Sequence, residues 1–363
     1  MAFYGHTENN QSMHPLLLTS TLAAAALCGV LTACDGAANK ANSKVSDNAT
    51  TRPTANPQPR AGSQASDSSV AIVTTAPPAA GYSGEELGAY RRLNTARVTC
   101  GFGYLRQNKR LDTAAGNHVS WMLANARYAH AEVAGTAAFT GVDASDRLPA
   151  AGYALSGSWG TGEIIDELPS SNKTGFGSAG INNLLGAPYH LLEAMSSARE
   201  MGVSVKSGGP SGADFASASK VSYIVVNLAY AGQVLPQLQN AKEVLTYPCQ
   251  GITGTNWQLQ GEFPSPVPSR NLGTSPIGQP IFVQVLEGNK LTIASASVVG
   301  PLGAVALLPT MTRANDPNAE LGSHQAIVMP NAPLKPNTSY SVSISGSNSG
   351  VAFRKSFSFQ TGS

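Results

Sequence analysis

The chain has 363 residues, 42% of them apolar, 7% aromatic and 12% charged, with a formal net charge of +2. That length exceeds one ordinary domain and suits two domains plus a tail. A charge imbalance this small gives no reason to expect nucleic acid or a strongly acidic partner. Its four cysteines, Cys28, Cys34, Cys100 and Cys249, are widely spaced with no CxxC pair, which argues against a structural zinc knuckle.

No charged residue occurs from Pro15 to Ala33. The apolar runs Leu16-Leu17-Leu18 and Ala23 to Leu31 end in Leu31-Thr32-Ala33-Cys34. A short apolar core closed by small residues reads as a signal peptide over 1–33. The ending resembles the lipobox of bacterial lipoproteins. That resemblance implies acylation of Cys34, with the membrane as partner through the lipid, since each buried methylene adds about 0.8 kcal/mol. It places the protein outside the cytoplasm, lipid-anchored to the cell envelope, in the periplasm or on the outer surface. No Lys or Arg precedes Lys40, so a single membrane-spanning helix stands as the alternative. Asp35, directly after the cysteine, resembles an inner-membrane retention signal of enteric bacteria. From 34 to 82 the chain is rich in Ser, Thr, Ala, Pro, Asn and Gln, without period. It predicts a disordered tether, closed by Pro77-Pro78.

Ordered structure is expected from Ser83, which forms a capping box with Glu86. Leu87, Tyr90 and Leu93 continue at helical spacing, to an end near Cys100-Gly101. A second helix is predicted over Asp112 to Tyr128, with Ala115, Val119, Met122 and Ala126 on one face and His118 beside them. Asp143 to Gly152 reads as a short helix ended by glycine. Ser178 to Arg199 reads as a helix bent at Pro188. Gly202 to Val205 and Val221 to Tyr230 read as strands, the second apolar enough to be central. Helices first and strands last give an α+β class. The stretch 249–279 reads as a Pro/Gly-rich linker. Beyond it, short alternating runs at Ile281–Val285, Leu291–Ile293, Tyr340–Ile344 and Phe357–Phe359 predict an all-β sandwich over 280–363.

Six segments in series carry a family resemblance. They are Leu93 to Arg97 with Leu111 to Ala115 and His118 to Met122, Arg127-Tyr128-Ala129-His130, Phe139-Thr140-Gly141 with Asp146-Arg147 and Ala151-Gly152-Tyr153, Gly162-Glu163-Ile164-Ile165, Tyr189-His190, and Met201-Gly202-Val203. Together they resemble bacterial CAP domains (the cysteine-rich secretory protein, antigen 5 and pathogenesis-related 1 superfamily, also called SCP-like) over 83–248. The resemblance implies a CAP-type α-β-α sandwich whose cavity holds His130, Glu163 and His190. Many members have a second glutamate. Asn182 and Asn183 stand near its expected place, and Ile164 replaces the Asn of the Gly-Glu-Asn-Ile motif. Leu334 to Tyr340 resembles the tyrosine-corner region of Ig-like modules, which implies an Ig-like sandwich over 280–363.

Two histidines and a glutamate also form a known ligand set for a divalent metal such as zinc. They equally suit a hydrogen-bonded brace, with both imidazoles on Glu163. On its apolar face, His118 reads as a hydrogen-bonded core histidine behind the site. No GxSxG elbow surrounds any serine. In an oxidising envelope Cys100 and Cys249 are expected to pair, against the alternative of two separate buried thiols.

These readings leave three functions. The first is a non-enzymatic envelope lipoprotein whose CAP domain offers its cavity to an apolar small ligand such as a lipid, a peptide or a partner protein. The second is a metal-dependent, protease-like hydrolase with His130 and His190 as ligands and Glu163 as base or third ligand. The third is a structural surface spacer.

Overall fold

The computed structural model describes residues 69–363 apart from 83, 170–173 and 210–220. The expectations for the signal peptide, for Cys34, for the tether up to 68 and for the Ser83 cap lie outside the described residues. Among the described residues no helix is long and apolar enough to cross a membrane.

Helix α1 spans Gly84–Thr99, and a two-residue strand β1 (Arg106–Gln107) leads into α2, Lys109–Asn125. Asn108 starts α2 earlier than the apolar period suggests, because its side chain accepts a hydrogen bond from Arg110 N at 3.0 Å. Helix α3, Ala144–Ala150, is fixed by a reciprocal capping box between Asp143 and Asp146. Strand β2 follows at Trp159–Pro169. The segment expected as one bent helix is two, α4 (Phe176–Leu185) and α5 (Pro188–Ala194). Pro188 sits in the first turn of α5, where its missing N–H costs nothing. Strands β3 (Glu200–Gly209) and β4 (Val221–Ala231) complete a sheet of order β1-β3-β4-β2.

Strand β4 is buried along nearly its whole length because helices cover both faces of the sheet. Ala115, Val119 and Met122 of α2 pack on Ile165, Tyr223 and Val225. On the other face Leu93, Ile181, Leu184 and Leu191 pack on Ile164, Val203, Ile224 and Val226. Helix α2 comes so close to β3 that a Cβ on Gly202 would stand 2.0 Å from Leu111 C. Only glycine allows that approach.

Seven short strands and one upstream of them form the C-terminal module. These are β5 (Leu245–Tyr247), β6 (Ile281–Gln284), β7 (Leu291–Gly300), β8 (Gly303–Ala304), β9 (Met311–Thr312), β10 (Gln325–Val328), β11 (Ser339–Asn348) and β12 (Val351–Gln360). They form two antiparallel sheets, β5-β6-β10-β9 and β12-β11-β7-β8. Val283, Val298, Val342 and Phe357 share their apolar interior. The Tyr340 hydroxyl accepts a hydrogen bond from Lys335 N at 2.7 Å. The chain is thus α+β, with a three-layer N-terminal module followed by a two-sheet module.

Two segments differ from their expected character. The stretch 249–279, read as a linker, is packed against both modules. Ile252, Leu259, Leu272 and Ile277 are buried in the same apolar cluster as both modules, so the two modules share one core. Strand β5 joins the second module from before that stretch. Residues 69–80 of the expected tether lie against the folded part. Arg199 donates to Ser69 O and Ala71 O at 2.7 and 2.8 Å, Tyr104 N to Val73 O at 2.9 Å, and Ala80 N to Gln107 Oε1 at 2.7 Å. Hydrogen bonds of its main chain, mostly with the Arg199 and Gln107 side chains, order this strap despite its lack of apolar period. Cys100 and Cys249 form a disulfide, joining the end of α1 to the start of the shared segment.

Candidate functional site

Glu163 lies on β2 and points to the α2 face, with its side chain 4% exposed. The Arg147 guanidinium, brought by α3, donates through Nη2 to both carboxylate oxygens, at 2.8 and 2.7 Å. Through Nη1 the same side chain donates to His130 O and Val142 O, at 2.9 and 3.0 Å. Arg147 therefore fixes both the carboxylate and the loop that carries His130. The His130 ring meets Glu163 through Nδ1 at 3.1 Å. With its amide oriented to satisfy both ends, Asn227 of β4 donates to Glu163 Oε2 at 3.2 Å and accepts from Ala115 N at 3.0 Å.

Below this layer lies a second one. His118 of α2 is fully buried, stacked on Trp121 with ring centroids 5.7 Å apart. Its Nδ1 faces Glu132 Oε1 at 2.9 Å and its Nε2 faces Ala129 O at 3.0 Å. Glu132 also accepts from Thr140 N at 2.6 Å. Arg147, Glu132 and His118 have no exposed side-chain surface. Such a cluster persists in the interior only because each charge has partners.

The Glu163 carboxyl responds to this surrounding. Burial pushes it up. The hydrogen bond from His130 and the charges at His118, Arg147 and His130 outweigh burial and hold it down at about 2.

His190 sits on α5, on the other face of the sheet. Its ring reaches around the β2 edge to stand 6.0 Å from the His130 ring, with 27° between the planes. It does not bond Glu163. Its Nδ1 meets Glu262 Oε1 at 2.9 Å, and the same oxygen accepts from Tyr189 N and His190 N at 2.8 and 3.0 Å. Glu262 thus caps the N-terminus of α5 from another part of the chain, a favourable place for a carboxylate. Its Oε2 is buried without a hydrogen-bond partner.

The structure therefore brings His130, Glu163 and His190 to one edge, with His118 behind them. It divides the expected brace, giving each imidazole its own carboxylate. Asn182 and Asn183 are not part of it: Asn182 accepts from Arg92, and Asn183 donates to Asp166 at 3.0 Å. Sequence reasoning missed Arg147, Glu132, Asn227 and Glu262. Arg147 follows the Asp143 cap signal but carries no mark of burial. Glu262 lies among Gly and Pro residues and has no local signal at all.

A divalent metal held by His130, Glu163 and His190 does not fit this arrangement. Both Glu163 oxygens already face a guanidinium cation, so this carboxylate is not open as a third ligand. Among the described residues no group of three His, Cys, Asp or Glu side chains stands ready to hold a metal ion. Each imidazole is oriented by a carboxylate at Nδ1, which leaves Nε2 for a ligand; His130 is 48% exposed and His190 13% at the side chain. Compared with known protein families and with curated proteins, the chain matches none.

Proposed function

We propose that this protein is a non-hydrolytic recognition protein of the cell envelope, held by lipid on Cys34. Its CAP-type module offers the His130–His190 edge to a peptide or partner protein, and the Ig-like module stiffens that edge. The observation that carries this reading is the saturation of Glu163. A carboxylate bonded at both oxygens by Arg147, and held at about 2, is too weakly basic to act as a general base near neutral pH. The groups left with free valence are two carboxylate-backed imidazoles at the surface, which suits binding.

The test compares the full chain with His130→Ala, His190→Ala and Glu163→Gln. Metal content after gentle purification and hydrolysis of casein, with and without added zinc, are measured for each. The expected outcome is no stoichiometric metal and no zinc-dependent hydrolysis in any of the four. Stoichiometric zinc lost in both histidine variants, with hydrolysis lost in Glu163→Gln, would overturn the reading in favour of a metal-dependent hydrolase.

A further inference from the structure

Strand β2 lies at the edge of its sheet and pairs only with β4. Ser158 O accepts from Gly232 N, so the even-numbered residues of this register face β4. The odd-numbered residues Trp159, Thr161, Glu163 and Ile165 turn their N–H and C=O groups outward. At Ile165 the outward carbonyl is already taken by the Tyr128 hydroxyl at 3.0 Å. Outside the β2–β4 ladder, no hydrogen bond among the described residues reaches the main chain of Thr161 or Glu163. Glu163 is partly exposed although its side chain is only 4% exposed, so its open surface is main chain. Thr161 Oγ1 is buried without a partner, and Trp159 beside it is 42% exposed. The opposite side of the sheet differs: there the strap 69–80 pairs with Tyr104 and Gln107.

We infer that the free β2 edge from Trp159 to Glu163 receives an extended peptide of a partner protein as an added strand, with an acidic side chain against His130 and His190. This rests on the reading of the edge as a recognition surface and names its ligand. Open main-chain groups supply the hydrogen bonds of strand addition. The imidazole pair closes the run at its Glu163 end. The carboxylates there, Glu132, Glu163 and Glu262, are buried and engaged by the protein's own donors, so the peptide itself supplies the group that meets the open imidazole nitrogens, a carboxylate binding through an Nε2 that carries a proton. Size decides the occupant. Five strand residues cover roughly 17 Å. An edge that short buries far less than the ~1,200 Å² that a stable dimer of folded chains needs, whereas it suffices for a peptide.

The experiment uses the full chain and a fluorescein-labelled hexapeptide of alternating valine and glutamate, read by fluorescence polarisation. Controls are the same peptide N-methylated at alternate amides, and a valine–lysine peptide. The key variant is Thr161→Pro. It removes an N–H that points away from β4, so the β2–β4 ladder stays intact, as proline on an edge strand allows; circular dichroism checks the fold. Saturable binding is expected for the valine–glutamate peptide, weakened about tenfold or more, 1.4 kcal/mol, by N-methylation, by lysine and by Thr161→Pro. No saturation up to about 1 mM, or equal binding of the N-methylated peptide, overturns the inference. A dimer in sedimentation that Thr161→Pro dissociates, with no peptide binding, overturns it in favour of a second copy. Any of these leaves the non-hydrolytic reading standing, because that is judged by metal content and hydrolysis.

Discussion

Replacing Arg147 by methionine tests the centre of the site. The side chain keeps much of its length, but Glu163 loses a cation that bonds both its oxygens. Against burial, which pushes it up, the His130 hydrogen bond and the charges at His118, Arg147 and His130 together hold the Glu163 carboxyl at about 2. Removing one partner of a buried ion pair costs ~3–5 kcal/mol. Arg147→Met is therefore expected to lose ~3–5 kcal/mol in urea unfolding at about pH 7, with the disulfide intact.

Two further variants make the reasoning refutable. Glu163→Gln removes the acceptor, and the double variant Arg147→Met with Glu163→Gln removes the uncompensated charge. The double variant should lose clearly less than the sum of the two single losses. The pH profile adds a sign. A carboxyl depressed on folding stabilises above its unfolded value and loses that contribution as pH falls through its folded value. Wild-type stability should therefore drop by ~3 kcal/mol between pH ~4.5 and ~2 through this group, and Glu163→Gln should lack that drop. A loss within ~1 kcal/mol for Arg147→Met, or additive single losses, would show that the ion cluster is not coupled as its geometry requires.

Glu262→Ala should lower stability by ~1–2 kcal/mol, as loss of a helix cap does, with faster amide exchange in α5 and a shifted His190 ring resonance by NMR; an unchanged ring signal would show that Glu262 does not orient it. The double variant Cys100→Ser with Cys249→Ser opens a loop of sequence separation 149, and thermal unfolding should report a loss of ~2–5 kcal/mol. Asp166 is raised to about 7, first by burial, against the hydrogen bonds from Asn183 and the Glu167 backbone. A carboxyl raised on folding loses its stabilisation as pH rises through the folded value, so Asp166→Asn should gain in melting temperature relative to wild type on going from about pH 4 to about pH 8; an unchanged gap would rule this out.

The apolar period in the sequence located α1, α2 and β4, because their buried faces repeat at 3.6 or are continuously apolar. It missed β2, where Gly160, Thr161, Gly162, Glu163, Asp166 and Glu167 break any alternation. Those residues are tolerated in a strand because Glu163 is neutralised from α3, and because Gly162 leaves room for Glu193 of α5: a Cβ there would meet Glu193 Oε1 at 1.7 Å. Such compensation is tertiary and leaves no local pattern. The histidines and Glu163 were legible as candidates through the resemblance of their motifs. Their partners were not, since Arg147 and Glu262 are charged residues whose burial depends on chain segments far away in sequence. The packing of the stretch 249–279 was illegible for the same reason. Composition registered its Pro and Gly residues, but Leu259, Leu272 and Ile277 decide where it packs.

Glu262 gives that packed segment a consequence beyond stability. One carboxylate both caps α5 and holds the His190 ring, and it belongs to the stretch that joins the two modules. Tyr189, next in the chain to His190, donates its hydroxyl to Asp316 of the C-terminal module at 2.5 Å, and Asn318 donates back to that hydroxyl at 2.8 Å. His190 is thus oriented from the C-terminal side and His130 from the N-terminal side, through Arg147. Their 6.0 Å approach therefore depends on the shared core that sets one module against the other. The contacts that place His190 thus come from beyond the N-terminal module, so its approach to His130 requires both halves of the chain to be folded.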